Sequence, residues 1–204
     1  MKKYIIAKLL MMMIIVSTIG TKVYADTQAN LVFKTNVPKA SKITKLTSST
    51  PVNANPENGT ISGTLSSVFE LDSNDTEDTN EFVITSSVET STGTVSAYDY
   101  WGNIAFTNSE ALPTAVQVNE ALTHTGENPN VLVYPVTITA SPFTSTFQPG
   151  YKTYGYCYRI NLNGETEGTI THSINSTPVS GTFHKTKDTS GLYKTTVTIT
   201  SVGL

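Results

Sequence analysis

Near its C-terminus the chain alternates between two kinds of side chain, and this pattern limits the fold more than any other feature of the sequence. A period of two is that of a β-strand with one buried face, and Thr, Val, Ile and Tyr pack well on a pleated surface. A terminal strand frays unless neighbours hold it on both sides. We therefore predict a half-buried last strand and ask what pairs with it. One face would carry Tyr193, Thr195, Val197 and Ile199, and the other Lys194, Thr196, Thr198 and Thr200.

The N-terminal segment has the pattern of a secretory signal peptide. Two lysines follow the initiator methionine, a mostly apolar run covers residues 4–19, and an A-x-A-like sequence ends at Ala25. A membrane anchor is the alternative, but the run contains Lys8 and no basic cluster follows it. We predict a signal peptide over residues 1–25 and export of the chain.

Charge limits the partners that the exported chain can have. Removal of residues 1–25 takes away four of the 13 basic residues, which leaves nine against 16 acidic residues and a formal charge of −7. A chain this acidic is a poor ligand for nucleic acid or anionic lipid. We therefore predict no nucleic-acid partner.

The exported chain begins with a second alternating segment, in residues 26–37, and Pro38 limits how far it can pair inside a sheet. A β-sandwich that lacks one strand exposes a groove of unpaired backbone and apolar side chains, which an extended segment can fill. We predict that residues 26–40 form an N-terminal extension that fills such a groove. The occupied groove could belong to the same chain or to a second copy. The face that the extension would bury carries Leu31, Phe33, Thr35 and Val37.

Between its two ends the sequence predicts strands and turns almost throughout. Short apolar alternations are separated by Gly, Pro, Asn and Asp, the residues that favour turns. The exception is a short helix over residues 115–122, with Thr114 as its N-cap. The predicted strands cover residues 41–46, 60–71, 81–88, two segments within 93–106, 128–139 with an interruption at Pro135, 151–162, 165–174 and a segment near 182–184.

One pair of these strands is predicted to form a hairpin. Asn163 and Gly164 suit a type I′ turn, so residues 151–162 and 165–174 are expected to pair, whereas residues 141–150 are predicted to be loop. Many short strands with almost no helix favour an immunoglobulin-like antiparallel β-sandwich over residues 41–204.

No motif in the chain indicates catalysis. The three histidines, His124, His172 and His184, have no partners at the spacing of metal ligands, and we predict that they lie at the surface or in turns. The sequence has no nucleophile elbow and no phosphate-binding loop. Cys157 is the only cysteine and lies in a β-like run, which predicts a small buried core residue. We predict no enzyme and no catalytic, cofactor-binding or metal-binding residues.

The densest aromatic group consists of Tyr98, Tyr100 and Trp101. We favour core positions for these side chains, because aromatic residues contribute much of the apolar area that cores bury. The alternative is an exposed contact platform, which would make the chain a self-contained secreted β-sandwich module that binds carbohydrate or protein.

These features together resemble the fimbrial subunits, or pilins, of the chaperone–usher pathway. The signal peptide, the alternating N-terminal arm, the Thr-rich all-β body and the C-terminal strand carry the resemblance. In many such pilins a glycine fourteenth from the C-terminus opens the last strand, and Gly191 is fourteenth from the end of the 204 residues. Because Cys157 is alone, the common pilin disulfide is impossible, and the chain is similar to the disulfide-free branch.

The resemblance implies a function and a set of partners. A periplasmic chaperone would hold the C-terminal strand until an outer-membrane usher exchanges it for the arm of another copy or of a related pilin. The chain would be a structural subunit of a fimbria, exported through the periplasm to the cell surface, and would support adhesion, with a host receptor as a further partner. The donor residues would be Leu31, Phe33, Thr35 and Val37, and the chaperone-facing acceptor edge would carry Gly191, Tyr193, Val197 and Ile199.

Overall fold

Antiparallel β-structure dominates the computed structural model, which describes residues 37–47, 50–63, 65–75 and 81–202. The predicted signal peptide and most of the predicted arm lie outside the described residues. The strands are β1 (Ser41–Thr47), β2 (Leu65–Ser73), β3 (Glu81–Thr90), β4 (Gly93–Ser96), β5 (Ile104–Asn108), β6 (Val131–Tyr134), β7 (Val136–Ser141), β8 (Thr144–Tyr151), β9 (Gly155–Asn161), β10 (Glu167–Ile174), β11 (Tyr193–Lys194) and β12 (Thr196–Val202), and the helix α1 is Ala115–Leu122.

The strands form three antiparallel sheets. The first has the order β1-β2-β10-β7, and the second has the order β12-β3-β9-β8 with β4 paired to the end of β3. A smaller sheet has the order β11-β5-β6. The predicted all-β class is therefore confirmed.

Side chains from the first two sheets share one apolar cluster. Leu71 of β2 and Ile170 of β10 pack with Phe82 and Ile84 of β3 and with Ile160 of β9, and all five are fully buried. Alternate residues of each strand supply this cluster, as the period of a strand requires. Two sheets that share one apolar interior are the arrangement of a β-sandwich.

A larger apolar cluster includes the inward face of α1, which the sequence predicted with the same bounds. Thr114 is its N-cap: its hydroxyl oxygen accepts a hydrogen bond from the backbone N–H of Gln117 at 3.3 Å, and Gln117 Oε1 accepts one from the N–H of Thr114 at 2.8 Å. This reciprocal pair is a capping box, which satisfies two backbone donors that a helix start leaves without intrahelical partners. No helix in the described part of the chain is long and apolar enough to cross a membrane.

The predicted break at Pro135 is confirmed, and it moves the chain from one sheet to another. Proline has no N–H to donate to a ladder. The strand before it, β6, belongs to the small sheet, whereas β7 belongs to the first sheet.

The predicted hairpin about Asn163 and Gly164 is wrong. Both residues adopt the positive φ of a tight turn, at 55° and 83°, but β9 lies in the second sheet and β10 in the first. Leu162, just before the turn, is 1% exposed and packs in the shared cluster. Burial of this side chain between the layers makes the turn an arch from one sheet to the other.

The true hairpin partner of β9 is β8, which occupies the segment 141–150 predicted to be loop. The prolines and glycine near its ends suggested a loop. As the outer strand of its sheet, β8 tolerates Pro149, because an edge strand leaves some N–H positions without ladder partners. The predicted strand near residues 182–184 is also wrong: the Thr182 hydroxyl donates to the carbonyl oxygen of Val179 at 2.7 Å and closes a loop.

Cys157 is fully buried, as predicted, and burial raises the pKa of its thiol.

The predicted surface position of His172 is wrong. Ile170, His172 and Ile174 alternate inward along β10, so the same period of two that buries the isoleucines buries the histidine. Its Nε2 lies 2.9 Å from the hydroxyl oxygen of Tyr98, and the two groups share a hydrogen bond.

The burial of His172 makes folding sensitive to acid. Burial lowers the pKa of His172 from 6.5 to about 4, because the interior disfavours the charged ring. Since the folded-state pKa is the lower one, the stability that this group contributes is complete above pH 6.5 and is lost as the pH falls through about 4.

We expect the free energy of unfolding to drop by up to about 3 kcal/mol more in the wild type than in His172→Gln when the pH is lowered from neutrality to near 4. Urea denaturation at both pH values measures the difference. The control His184→Gln should keep the wild-type drop, because it leaves His172 and its hydrogen bond to Tyr98 in place. Equal drops in the wild type and in His172→Gln would contradict the prediction.

Candidate functional site

The last strand, β12, stands at the outer edge of the second sheet. It pairs antiparallel with β3 from Thr196 opposite Ser87 to Val202 opposite Glu81. Among the described residues no strand pairs with its other side. An edge of this kind presents a row of backbone N–H and C=O groups that an added strand can pair with.

The alternation predicted for this region is confirmed as far as Ile199, although the single predicted strand is divided in two. Thr200, predicted for the outer face, is half-buried. Tyr193 belongs to β11 and pairs with Asn108 of β5, whereas Val197 belongs to β12. Thr195 lies between the two pieces, and its hydroxyl oxygen is 3.3 Å from that of Ser86. Half-buried Tyr193, Thr195, Val197 and Ile199 alternate with exposed Lys194, Thr196 and Thr198.

A groove of about 1100 Å³ runs beside this part of the chain. Inward-facing side chains of β2, in the opposite sheet, form one flank, and residues of β11 and β12 form the other. Its apolar side chains include Val52, Ile61, Leu65, Phe69, Phe106, Leu132, Tyr134, Ile174, Leu192, Tyr193 and Val197.

The polar groups that line the groove are both neutral and charged, and half-buried Asp188 is its carboxylate. Buried His172 and half-buried Ser67 lie among the apolar residues. The Tyr134 hydroxyl donates to the carbonyl oxygen of Gly59 at 2.6 Å, and burial raises the pKa of Tyr134 to about 12. The exposed cations of the lining are Lys45, Lys185 and Lys194. The groove therefore suits an apolar, extended segment better than a charged one.

At Gly191 the backbone passes so close to Asn108 that a residue with a side chain would fit poorly. Its φ of 151° and the absence of a side chain let it pass Asn108, and a Cβ added at Gly191 would lie 3.1 Å from Asn108 Nδ2. Asn108 is fully buried, and its Nδ2 donates to the carbonyl oxygen of Thr189 at 2.9 Å. A glycine at this position therefore lets the backbone pass the fixed side chain of Asn108 and enter β11.

Of the predicted acceptor residues, Gly191, Tyr193 and Val197 line the groove. Ile199 lies farther along β12 and packs against the cluster that the first two sheets share. Of the predicted donor residues, Leu31, Phe33 and Thr35 lie outside the described residues. Val37 is described and is 73% exposed.

Sequence reasoning missed the flank that β2 contributes to the groove. Leu65, Ser67 and Phe69 alternate along β2, and this alternation is the signal that could have identified them.

Comparisons of the chain with protein-family models, with curated proteins and with solved structures found no match.

Proposed function

We propose that this chain is a structural subunit of a bacterial surface fimbria and polymerises by exchange of strands between copies. The observation that carries the proposal is the outer edge of β12, which no described strand pairs with, beside an apolar groove of about 1100 Å³. In this proposal the body is an immunoglobulin-like sandwich that lacks one strand, and another molecule supplies the missing strand. The role is structural and not catalytic.

The N-terminal arm is long enough to pair with the whole of β12 and carries apolar side chains that suit the groove. Successive residues of a strand rise about 3.4 Å, so the six steps from Leu31 to Val37 span about 20 Å. The six steps from Thr196 to Val202 span the same length, so β12 offers a matching edge. Full burial of the arm's Leu, Phe and Val side chains would contribute about 5–9 kcal/mol in total.

The chain assembles only if its N-terminal arm enters the groove of another copy and not its own groove. A contact in which the arm of one molecule enters the groove of the next is head-to-tail, and repeated contacts of this kind grow a filament. By resemblance, a periplasmic chaperone would cover β12 before assembly and an outer-membrane usher would catalyse the exchange. The product would be a fimbria at the cell surface that supports adhesion, with a host receptor as a further partner.

A second candidate function is a self-contained secreted module that binds carbohydrate or protein. The observation that favours it is the exposure of Tyr100 and Trp101, each 61% accessible. In that case the arm would occupy the groove of its own chain, and the purified protein would be a stable monomer. Size-exclusion chromatography of the chain refolded without a chaperone distinguishes the two candidates.

Deletion of residues 26–37, with the signal peptide retained, should abolish multimers that resist SDS, because the donor is removed while β12 and its groove remain. Electrophoresis of unheated samples measures the multimers. A ladder as long as that of the wild type would contradict donation by the arm.

Replacement of Val197 by glutamate should prevent the groove from binding the arm of another copy, because it places a charge among the apolar groove residues. The variant should still donate its own arm. Thr198→Glu is the matched control, since Thr198 is the exposed neighbour on the same strand, and it should assemble like the wild type. Circular dichroism checks that each variant retains its β-structure.

Mixing the two assembly variants tests the direction of the contact. The Val197→Glu chain can donate but not accept, and the chain without residues 26–37 can accept but not donate. Each alone should be monomeric, whereas the mixture should give a one-to-one heterodimer that does not extend. Absence of the heterodimer, with both chains folded, would contradict a head-to-tail contact between copies.

A further inference from the structure

Three aromatic side chains lie exposed together, and none of them lines the groove. Tyr100 and Trp101, in the turn between β4 and β5, are each 61% exposed, and Tyr156 of β9 is 37% exposed. The Tyr100 ring meets the other two edge-on, with centroid distances of 5.9 Å to Trp101 and 6.4 Å to Tyr156. We refer to these three residues as the aromatic ledge. The predicted core positions of Tyr100 and Trp101 are therefore wrong, whereas Tyr98 is 1% exposed and lies in the core as predicted.

The turn that carries the ledge is held by buried polar groups. Asp99, 1% exposed, accepts hydrogen bonds through Oδ1 from the backbone N–H groups of Trp101 and Asn103, both at 2.8 Å. The Tyr158 hydroxyl donates to the carbonyl oxygen of Gly102 at 2.9 Å. A surface whose backbone is fixed in this way loses little conformational freedom when it binds a ligand.

His124 connects the ledge to a small polar pocket. Its ring stacks on the indole of Trp101, with centroids 4.8 Å apart and planes inclined by 21°, and its Nε2 lies 3.2 Å from Asp99 Oδ2. His124 follows the C-cap of α1 and has a φ of 56°, a conformation in which glycine is the usual residue. The same histidine lines the pocket, so the ledge and the pocket form one continuous set of contacts.

The pocket has a volume of about 150 Å³, equal to about five water molecules at about 30 Å³ each. It can hold one small polar unit and is too small for a drug-sized molecule. None of its lining residues carries a carboxylate, an ammonium or a guanidinium group. It is lined by Ala121, His124, Thr125, Gly126, Asn128, Val131, Ser180, Gly181, Thr182 and His184.

Asn128 provides a hydrogen-bond acceptor at this pocket. The residue is 4% exposed, and its Nδ2 donates to the carbonyl oxygen of Thr125 at 2.7 Å. Its Oδ1 is buried and has no hydrogen-bond partner within the described part of the chain. A buried acceptor of this kind favours a ligand that brings an O–H or N–H group.

We propose that the aromatic ledge and the pocket beside His124 together form a binding site for a neutral oligosaccharide. Pyranose rings present apolar C–H faces, which suit exposed aromatic rings, and hydroxyl groups, which suit the polar pocket. A terminal sugar would donate a hydroxyl to Asn128 Oδ1 after this buried side chain turns toward the pocket, and the next sugars would lie against Tyr100 and its neighbours. This proposal does not depend on strand exchange, because the pocket shares no lining residue with the groove.

The chemistry of the site favours a glycan over other ligands. An apolar protein side chain would leave Asn128 Oδ1 without a donor, which lowers affinity. An anionic ligand would need a fixed cation, and the pocket lining has none. The described residues also contain no cluster of three or more His, Cys, Asp or Glu that could hold a metal ion.

The test uses Trp101 as a reporter, because it is the only tryptophan in the chain. The purified full chain is applied to an array of immobilised neutral glycans that includes mannotriose, cellotriose and N-acetyllactosamine. Each glycan bound on the array is then titrated against tryptophan fluorescence. We expect at least one neutral glycan to give a saturable change in Trp101 emission, because the ligand contacts the ledge.

Two variants and a control link that signal to the site. Tyr100→Ala removes one aromatic contact and should weaken binding about tenfold. Asn128→Leu removes the acceptor and should weaken binding at least tenfold. It also removes the hydrogen bond from Nδ2 to the Thr125 carbonyl oxygen, so circular dichroism checks that the variant is folded. Val116→Ala, at a residue of α1 that is 64% exposed and outside the site, should bind like the wild type.

Three results would overturn the proposal: no neutral glycan bound on the array, binding unchanged in both site variants, or a loss of multimers in Tyr100→Ala from a chain that binds no glycan. The last result would assign the ledge to contacts between subunits. Because SDS-resistant multimers are measured separately, failure of the glycan site is distinguishable from failure of the assembly proposal.

Discussion

The edge of a β-sheet has to be covered, and this constraint governs the molecule. Among the described residues no strand pairs with the outer side of β12, and the groove beside this strand is flanked by β2 of the opposite sheet. Most β-proteins protect such edges with charges, prolines or a covering loop. Here β12 spans about 20 Å, the length of an extended segment of seven residues, and Val197 lies beside the apolar groove. The proposed polymerisation is one solution to this constraint.

The polar groups of the interior are arranged so that few charges are buried without partners. Tyr98 and His172 satisfy each other, and burial keeps the histidine neutral at ordinary pH. Glu81, 2% exposed at the start of β3, accepts hydrogen bonds from Tyr151, Lys152 and Arg159, and these outweigh burial and lower its pKa. This cluster joins β3 to β8 and β9 at one end of the second sheet. The pocket beside His124, whose lining has no carboxylate, ammonium or guanidinium group, suits a ligand without charge.

Local patterns predicted local structure well in this chain. The capping residues located α1, Pro135 located the break between β6 and β7, and the alternation of the last residues located the half-buried face of β11 and β12. Predictions failed where one local pattern is compatible with more than one tertiary arrangement. Asn163 and Gly164 made a turn as expected, yet burial of Leu162 sent the chain to the other sheet. Core positions were predicted for three aromatic residues, but only Tyr98 lies in the core, whereas Tyr100 and Trp101 lie at the surface.

The sequence by itself determined the β-rich class, the one short helix and which residues of the last strand face inward, because periodicity and capping depend on neighbours in the chain. Only the tertiary structure decided that β12 has no partner on its outer side among the described residues, that β2 flanks the groove beside it, and that His124 brings the aromatic ledge to a polar pocket. These arrangements join residues that are far apart in the sequence. The identity of a strand's neighbours depends on how the sheets pack, and no local pattern carries that information.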